Sequence, residues 1–573
     1  MNEHKEQIVE IQILQTTDLH GRFSQYDYTL DRPSKYGGGL AALATKIKAL
    51  RKEYAHTYLL DTGDALQGNH NEFFLHDVES NPIIKMFNAL EYDAFTLGNH
   101  EFNFGTQYVQ DCLAELQIPV LAANIYNERA ERIAKPYLLL NKGGVRVAIV
   151  GMVTENVLRW DCDHLEGYTV VPVMQEMQKI WPEIEDKADV YIFANHQPWY
   201  DQYSYGDGYE HLVAAYPQFQ VVLISHSHRR RAHVEDGRAY LQSGCYGGDL
   251  GQIVVRLRKA GARYVVESMQ SHLYGMDDVA EDPPLLALVE GEHQRILDDI
   301  RRPVGRLVGG SLIPMRTLVN LNPAQVESTA LIALMNDVQR FYGEADVSLA
   351  TLFHIDINLR EGEINRADVL SMYRHSNTLR VYEVSGLQIK KILEWSARYF
   401  IRWREGDLTI AFNPQIPVYE YAMLGGMFYD INIGNEVGHR IEHLRWPDGR
   451  AVGDEERVRV AMDDFRAKGF IERDLFFEDA SVLLVKDFSQ GTVEKGQIRD
   501  YLMAYIGSQC QGIITNAIDG KKNFFQLTGY DWDKELRAEA VRQINAGLVE
   551  IPTSENGLSF YSRAIRKEDL QPF

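Results

Sequence analysis

The chain has 573 residues, and because a hydrophobic core stops growing near roughly 250–300 residues, two large domains are expected. Its 59 Lys and Arg against 81 Asp and Glu give a net charge of −22, which is the wrong sign for a protein that binds polymeric nucleic acid. No apolar run approaches the ~18 residues of a membrane helix and the start lacks a signal peptide, so we expect a cytoplasmic protein without a membrane anchor, or a secreted or cell-surface protein whose leader has been removed.

The first half of the chain alternates predicted strands with predicted helices. Apolar and alternating runs predict strands at 9–15, 57–60, 94–97, 120–123, 145–153, 190–194, 221–224 and 252–257. Three- and four-residue apolar spacings predict helices at 40–54, 82–90 and 106–116. This order is typical of an α/β domain.

Residues 282–302 read DPPLLALVEGEHQRILDDIRR, and their apolar spacing predicts one long helix that connects two domains. Beyond it, helices are predicted at 324–342, 385–400 and 533–546, and strands at 347–352, 379–384 and 458–462. The second half is therefore expected to be a second α/β or α+β domain.

Polar residues with metal-ligating side chains follow five of the early strands directly. The ends of strands in open α/β sheets are where ligands collect. Each residue alone has an ordinary explanation as a loop or core side chain, but the ordered series D-x-H, G-D, G-N-H-E, strand-end His and H-x-H favours a metal site. The candidate ligands are Asp18, His20, Asp64, Asn99, His196, His226 and His228.

A mixture of imidazole nitrogens and carboxylate oxygens suits divalent first-row metals, which we take to be of the Mn, Zn, Fe or Co class. Seven ligands are enough for two ions, and two ions can clamp the attacking water and the phosphoryl oxygens of a displacement. The four cysteines lie far apart without a C-x-x-C pair, so a thiolate-bound zinc is not expected.

The segments TTDLHG, DTGD and LGNHEF resemble those of the calcineurin-like metallophosphoesterases, within them the bacterial family of 5′-nucleotidases, UDP-sugar hydrolases and 2′,3′-cyclic-nucleotide phosphodiesterase/3′-nucleotidases. The resemblance implies a four-layer catalytic domain at 1–280, a β-sandwich flanked by helices, then a linker helix at 281–310 and an α/β substrate-binding domain at 311–573. It implies that Asp64 bridges two metals and that His100 is the catalytic histidine. One metal would be held by Asp18, His20, Asp64 and His228, and the other by Asp64, Asn99, His196 and His226.

Two departures from the family pattern stand near these ligands. Ser225 precedes His226 where relatives usually have glycine, which hints at a shifted backbone. Asn103 stands where 5′-nucleotidases carry an aspartate that orients the catalytic histidine, and the cyclic phosphodiesterase branch resembles this chain in having Asn. An Asn oxygen can accept the imidazole N–H, but it adds no negative charge.

The resemblance also implies that the second domain stacks a nucleobase between aromatic rings. Phe465 is the best candidate, and its partner ring is left open among Tyr419, Tyr421 and His375. The Gly-Gly-Ile-Arg motif of 5′-nucleotidases is missing from residues 349–360, which read LATLFHIDINLR. Asn103 and this loop favour the cyclic phosphodiesterase branch.

The expected function is therefore a two-metal hydrolase of a small nucleotide substrate, which opens 2′,3′-cyclic nucleotides and removes the 3′-phosphate. A 5′-nucleotidase or UDP-sugar hydrolase is the alternative. A metal-dependent nucleotide-binding protein without turnover is the alternative of a different class, motivated by Ser225 and the missing motif. A monomer or small homo-oligomer is expected.

Overall fold

The computed structural model describes residues 7–34, 37–202, 204–472, 482–489, 496–517, 524–554 and 559–572. The chain divides into two compact units, Met1–Ile300 and Arg301–Phe573. Across the described residues, no helix combines the length and the apolar character that a bilayer span requires.

The first unit contains two six-stranded sheets, and each has four adjacent parallel strands. In the first sheet two antiparallel strands lie on one side of these four, and in the second sheet one antiparallel strand lies at each edge. The first sheet has the spatial order Arg263–Gly275, Asp249–Ala260, Ile8–Thr16, Thr57–Asp61, Ala94–Thr96 and Val120–Leu121. The second has the order Arg230–Glu235, Arg238–Ser243, Phe219–Leu223, Val190–Ala194, Val145–Val150 and Tyr137–Lys142. Every strand predicted in this half is present, within a few residues at its ends.

The two sheets pack face to face. Ile13 and Leu60 of the first sheet share one fully buried core with Ile149 and Leu223 of the second. The outer face of the second sheet packs against the helix Val173–Ile184, whose apolar residues have the spacing of one helix face. Other α-helices that precede residue 280 are Leu40–Glu53, Pro82–Leu90, Gly105–Glu115, Val157–Asp161 and Tyr209–Ala215. The predicted α/β fold, a β-sandwich flanked by helices, is confirmed.

The segment predicted as one linker helix is instead two helices, Pro283–Ala287 and Glu290–Ile300, followed by the strand Pro303–Val308. The first helix closes early, because the N–H groups of Leu288 and Val289 bond to carbonyls only three residues back. The second helix buries Ile296 and Ile300 and pairs Glu292 with Lys85, so it belongs to the first unit.

The second unit is built on a mixed five-stranded sheet. Its order is Ala422–Gly425, Val347–Thr351, Arg457–Asp463, Leu379–Ser385 and Leu483–Asp487. The helices of this unit are Ala330–Gly343, Arg366–Met372, Gly386–Ser396, Asp464–Glu472, Ile498–Ala504 and Lys534–Asn545. The described residues of this unit also form two three-stranded sheets. One has the order Gly362–Asn365, Pro303–Val308 and Ile513–Thr515, and the other has the order Ile441–Arg445, Phe428–Asn432 and Phe525–Thr528.

The helix predicted to begin at residue 324 begins at Ala330. Asn322 caps a separate 3₁₀ turn, Pro323–Gln325, with its side chain bonded to the Ala324 N–H. A capped turn satisfies its own backbone groups and therefore ends before the longer helix starts.

Candidate metal centre

The parallel strands of both sheets end at the same edge of the first unit. Side chains hold the two sheets together there: Gln15 Nε2 donates to the Ile224 carbonyl at 2.9 Å, and Thr96 Oγ1 donates to the Ala194 carbonyl at 2.9 Å. The loops that leave these strands carry all seven predicted metal ligands. Strand ends from two different sheets thus supply one site.

The first group of ligand atoms belongs to Asp18, His20 and His228, and all of its atoms lie within 4.8 Å of one another. The Nε2 atoms of His20 and His228 are 3.0 Å apart, and His228 Nε2 lies 3.4 Å from Asp18 Oδ1. Asp18 is fully buried, and a third of the His228 side chain is open to solvent. Three ligand atoms therefore point at one place that solvent can reach.

The second group belongs to Asp64, His196 and His226, with the same limit of 4.8 Å between its ligand atoms. His196 Nε2 lies 2.9 Å from Asp64 Oδ2, and Asn99 Oδ1 lies 2.9 Å from His226 Nδ1. Asn99, the predicted amide ligand, therefore lies beside this group.

Two buried ligand atoms, Asp18 Oδ1 and His196 Nε2, make no hydrogen bond of good geometry among the described residues, although each lies near another predicted ligand, at 3.4 Å from His228 Nε2 and at 2.9 Å from Asp64 Oδ2. Buried polar atoms are rarely left unsatisfied, and a bound cation would satisfy both. The donor set of carboxylate, imidazole and amide fits divalent first-row metals. These observations support a dinuclear centre, and the ligand assignments remain predictions.

Backbone conformation marks the same residues. Five of the seven predicted ligands have positive φ, between 46° and 65°: Asp18, His20, Asp64, His226 and His228. This region disfavours residues other than glycine, and such strain is found most often at functional sites. The loops are held in shapes that aim ligand atoms inward at a conformational cost.

The charge states of the ligand groups are divided. Burial and the neighbouring imidazoles lower the pKa of His20 and of His226, each to about 3. Burial opposes ionisation of the other groups, but the pairing of His228 with Asp18 and of His196 with Asp64 lowers the pKa of both carboxyls, raises that of His196 to about 9 and raises that of His228 well above its usual value. Neutral imidazoles and ionised carboxylates are the forms that bind metal, so a cation would displace a proton from His196 and from His228.

Neighbouring groups orient the imidazole ligands. His196 Nδ1 donates to the Thr62 carbonyl at 2.7 Å, and His20 Nδ1 lies 3.2 Å from Gln67 Oε1. In the neutral form of each ring, Nε2 is then the nitrogen without a proton and can bind a metal.

Glu101 holds the turn beneath Asp64. Its buried carboxylate accepts four backbone N–H groups: Ala65 and Leu66 at Oε1, and Asp64 and Gly98 at Oε2, at 2.6 to 3.0 Å. Glu101 therefore stabilises the turn. It also fixes the backbone that carries the predicted bridging ligand.

His100 and Asn103 pair as predicted. His100 Nδ1 lies 2.6 Å from Asn103 Oδ1, and the His100 ring packs edge-on against His20 with centroids 5.2 Å apart. The predicted catalytic histidine is therefore beside the first ligand group.

Ser225, which precedes the predicted ligand His226, is hydrogen-bonded inside the first unit. The side chain is fully buried, and Oγ donates to the Asn195 carbonyl at 2.7 Å. Since Asn195 precedes His196, this bond ties together the two strand ends that carry the second group.

Three residues near the centre were missed by the sequence analysis. The Trp160 ring stacks on His226 at 5.3 Å, and Asp161 accepts from Asn103 Nδ2 at 3.0 Å. The ring of Tyr246, a residue with positive φ, lies 5.5 Å from that of His20. The short run WDCDH, with an acid and a histidine three residues apart, was the available signal for the first two.

The predicted base-stacking residues lie in the second unit. Phe465 begins the helix Asp464–Glu472 with half its surface exposed, and Tyr419 is 42% exposed. Arg466 Nη2 donates to the Tyr419 carbonyl at 3.0 Å, so the two aromatic segments are joined. His375 is exposed and lies against Phe353, with ring centroids 5.3 Å apart.

The prediction of Tyr421 as a base-stacking ring is wrong. Its side chain is 1% exposed and stacks on Tyr399 at 5.0 Å, with Phe400 edge-on at 5.2 Å. A ring enclosed on these faces belongs to the core and has no face for a base.

Residues 11–230 match the family described as calcineurin-like phosphoesterase, and residues 309–477 match the 5′-nucleotidase C-terminal domain. A 2′,3′-cyclic-nucleotide 2′-phosphodiesterase/3′-nucleotidase from Haemophilus influenzae is 25% identical over 539 residues, 80% of each chain. The trifunctional nucleotide phosphoesterase protein YfkN from Bacillus subtilis is 24% identical over 80% of this chain, but this chain spans only 36% of that longer protein.

Among solved structures, a protein from Staphylococcus aureus named as a candidate 5′-nucleotidase superposes with a TM-score of 0.76 at 23% identity. The alignment covers 91% of this chain and all of the other. At this identity the likeness concerns the fold.

Proposed function

We propose that this chain, which belongs to the calcineurin-like phosphoesterases and carries a 5′-nucleotidase C-terminal domain, opens 2′,3′-cyclic nucleotides and then hydrolyses the 3′-nucleotide product. Its membership makes it a hydrolase of phosphoric esters of nucleotides. The substrate class within that activity is the proposal. Water would add across the P–O2′ bond in the first step and across the P–O3′ bond in the second.

The His100–Asn103 pair carries this choice of substrate. In the 5′-nucleotidase pattern an aspartate would contact the catalytic histidine at this position. In this chain Asn103 Oδ1 contacts His100 Nδ1 at 2.6 Å, and the amide carries no negative charge. The relatives named as cyclic-nucleotide phosphodiesterases match most of this chain, which supports the same branch.

The loop at 352–361 supports it further. It lacks the Gly-Gly-Ile-Arg motif, and Arg316, which reaches it from another segment, bonds to the Ile355 carbonyl and to Asp356 Oδ1 at 2.6 and 3.0 Å. Arg316, a cation beside this loop, is thus paired within the protein.

In the proposed reaction the seven ligands would hold two divalent ions, which would activate a water molecule and neutralise the phosphoryl oxygens. His100 would stand beside the reacting phosphoryl group in its imidazolium form, with Nδ1–H donated to Asn103. Its Nε2 proton would pass to a phosphoryl oxygen or to the leaving group, which would leave a neutral imidazole with its proton on Nδ1. Trp160 covers one face of His226 and restricts water there. Phe465 and Tyr419 would take the base.

A substrate panel tests the proposal. Purified protein loaded with Mn²⁺ is assayed for kcat/KM on 2′,3′-cAMP, 3′-AMP, 5′-AMP and UDP-glucose, and the first two are expected to be preferred. A clear preference for 5′-AMP or UDP-glucose contradicts the proposal and supports the alternative nucleotidase function. Binding without product release at full metal occupancy supports a nucleotide-binding protein without turnover.

The role of His100 has its own test. The variant His100→Ala is expected to lose roughly 10²- to 10⁴-fold in kcat on bis-p-nitrophenyl phosphate, the usual contribution of a general acid or base. Metal content measured on the same preparation separates a chemical role from loss of the ions. Unchanged kcat removes His100 from the reaction.

A further inference from the structure

His100 lies at one end of a series of polar contacts that leads into the protein. His100 Nδ1 contacts Asn103 Oδ1 at 2.6 Å, and Asn103 Nδ2 donates to Asp161 Oδ1 at 3.0 Å. His164 Nδ1 lies 3.1 Å from the same Asp161 oxygen. The last two residues come from the segment 157–164, which has no part in the predicted ligand series.

The chemistry of Asp161 fixes the direction of these bonds. An ionised carboxylate only accepts, so the NH₂ group of Asn103 must face Asp161. The Asn103 carbonyl then faces His100, and His100 Nδ1 must carry the proton in this contact. Without Asp161, the Asn103 amide has no such constraint and can turn its NH₂ group toward the imidazole.

The surroundings of Asp161 are unusual for a residue that serves only stability. Its side chain is 4% exposed, and its Oδ2 has no hydrogen-bond partner among the described residues. A buried carboxylate with one unsatisfied oxygen destabilises a fold, so its presence calls for another explanation. The adjacent residue, Trp160, stacks on the predicted ligand His226. The short helix Val157–Asp161 therefore contacts both Asn103, which pairs with His100, and one predicted metal ligand.

We propose that Asp161 is a positioning residue for the reaction, which holds the Asn103 amide in the orientation that keeps the His100 proton on Nδ1 and supplies the negative charge that Asn103 lacks. Where a 5′-nucleotidase pattern has one carboxylate in direct contact with the histidine, this chain has an amide in that place and a carboxylate behind it. The inference rests on the proposed role of His100.

An exchange of the two side chains tests the arrangement. Asp161→Ala is expected to lower kcat on bis-p-nitrophenyl phosphate by roughly 10- to 100-fold, the effect of losing a hydrogen bond to a charged group, with KM changed less than about twofold. Asn103→Asp alone places two carboxylates in contact and is also expected to lower kcat. The double variant Asn103→Asp/Asp161→Asn restores one carboxylate and one amide, so it should recover kcat to within about threefold of wild type.

Glu166→Gln is the matched control, since it removes an exposed negative charge a few residues from Asp161 and is expected to behave as wild type. The proposal is overturned if Asp161→Ala has the kcat of this control, or if the double variant is no better than the worse single variant. A merely structural role for Asp161 would not predict recovery in the exchange.

A second readout needs neither metal nor activity. In ¹⁵N-histidine NMR spectra of the metal-free protein, His100, identified by its loss in His100→Ala, is expected to be the Nδ1–H tautomer in wild type and to shift toward Nε2–H in Asp161→Ala. An unchanged tautomer contradicts the proposal even if kcat falls. If wild type hydrolyses bis-p-nitrophenyl phosphate but not 2′,3′-cAMP, the proposed substrate fails while both readouts still report on Asp161.

Discussion

Replacement of Glu101 by Gln is the substitution whose effect can be worked out most directly from contacts. The glutamate oxygens accept four backbone N–H groups, two at each oxygen. The amide NH₂ of Gln accepts none, so two of the four donors lose their acceptor and face another donor. At about 1–3 kcal/mol for each buried donor left unsatisfied, the first unit should lose about 2–6 kcal/mol.

Hydrogen exchange measured by mass spectrometry on the metal-free protein isolates this effect, because peptides covering 57–66 report on the first unit alone. Mn²⁺ affinity should also fall by about 10- to 100-fold, since the Asp64 backbone loses its support. Glu166→Gln makes the same chemical change on the exposed surface and should alter neither quantity. A loss below about 1 kcal/mol with unchanged metal affinity would show that Glu101 does not support the turn beneath Asp64.

Three further predictions follow from other contacts. Gly98→Ala should abolish binding of the second metal equivalent in calorimetry, because a Cβ there would lie 2.2 Å from Asp64 Oδ1; normal two-site binding would contradict this. Phe465→Ala should raise KM for 2′,3′-cAMP by roughly 10-fold or more with kcat little changed, the loss expected for one base–aromatic stack, and an unchanged KM would exclude Phe465 from the base site. Burial raises the pKa of Glu155 in the folded protein above its value in the unfolded chain, so ionisation of Glu155 destabilises the fold once the pH rises above the unfolded pKa. The free energy of unfolding of wild type, measured by urea titration relative to that of Glu155→Gln, should therefore be lower at about pH 7 than at about pH 4. A difference between the two proteins that does not change with pH would contradict this prediction.

The ligand series was predictable because it depends on local order in the sequence. Asp18 and His226 each follow an apolar run, and a parallel strand delivers the residues after it to one sheet edge. The sequence does not reveal which two sheets face each other, and the bond from Gln15 to the Ile224 carbonyl depends on that packing.

Asp161 and Tyr421 show where sequence reasoning fails. Asp161 reaches Asn103 from 58 positions away, through a short helix without a strand-end pattern. Tyr419 and Tyr421 are two residues apart and would share a face in a strand. The 3₁₀ turn Val418–Glu420 breaks that alternation, so one ring is exposed and the other is enclosed in the core.

If the first unit's metal centre hydrolyses cyclic nucleotides in two steps, a ³¹P NMR time course of 2′,3′-cAMP with the Mn²⁺-loaded protein shows both steps in one experiment. We expect that the cyclic phosphate signal is replaced by that of 3′-AMP and then by that of inorganic phosphate. Persistence of the cyclic signal, while 5′-AMP is hydrolysed by the same preparation, would contradict it.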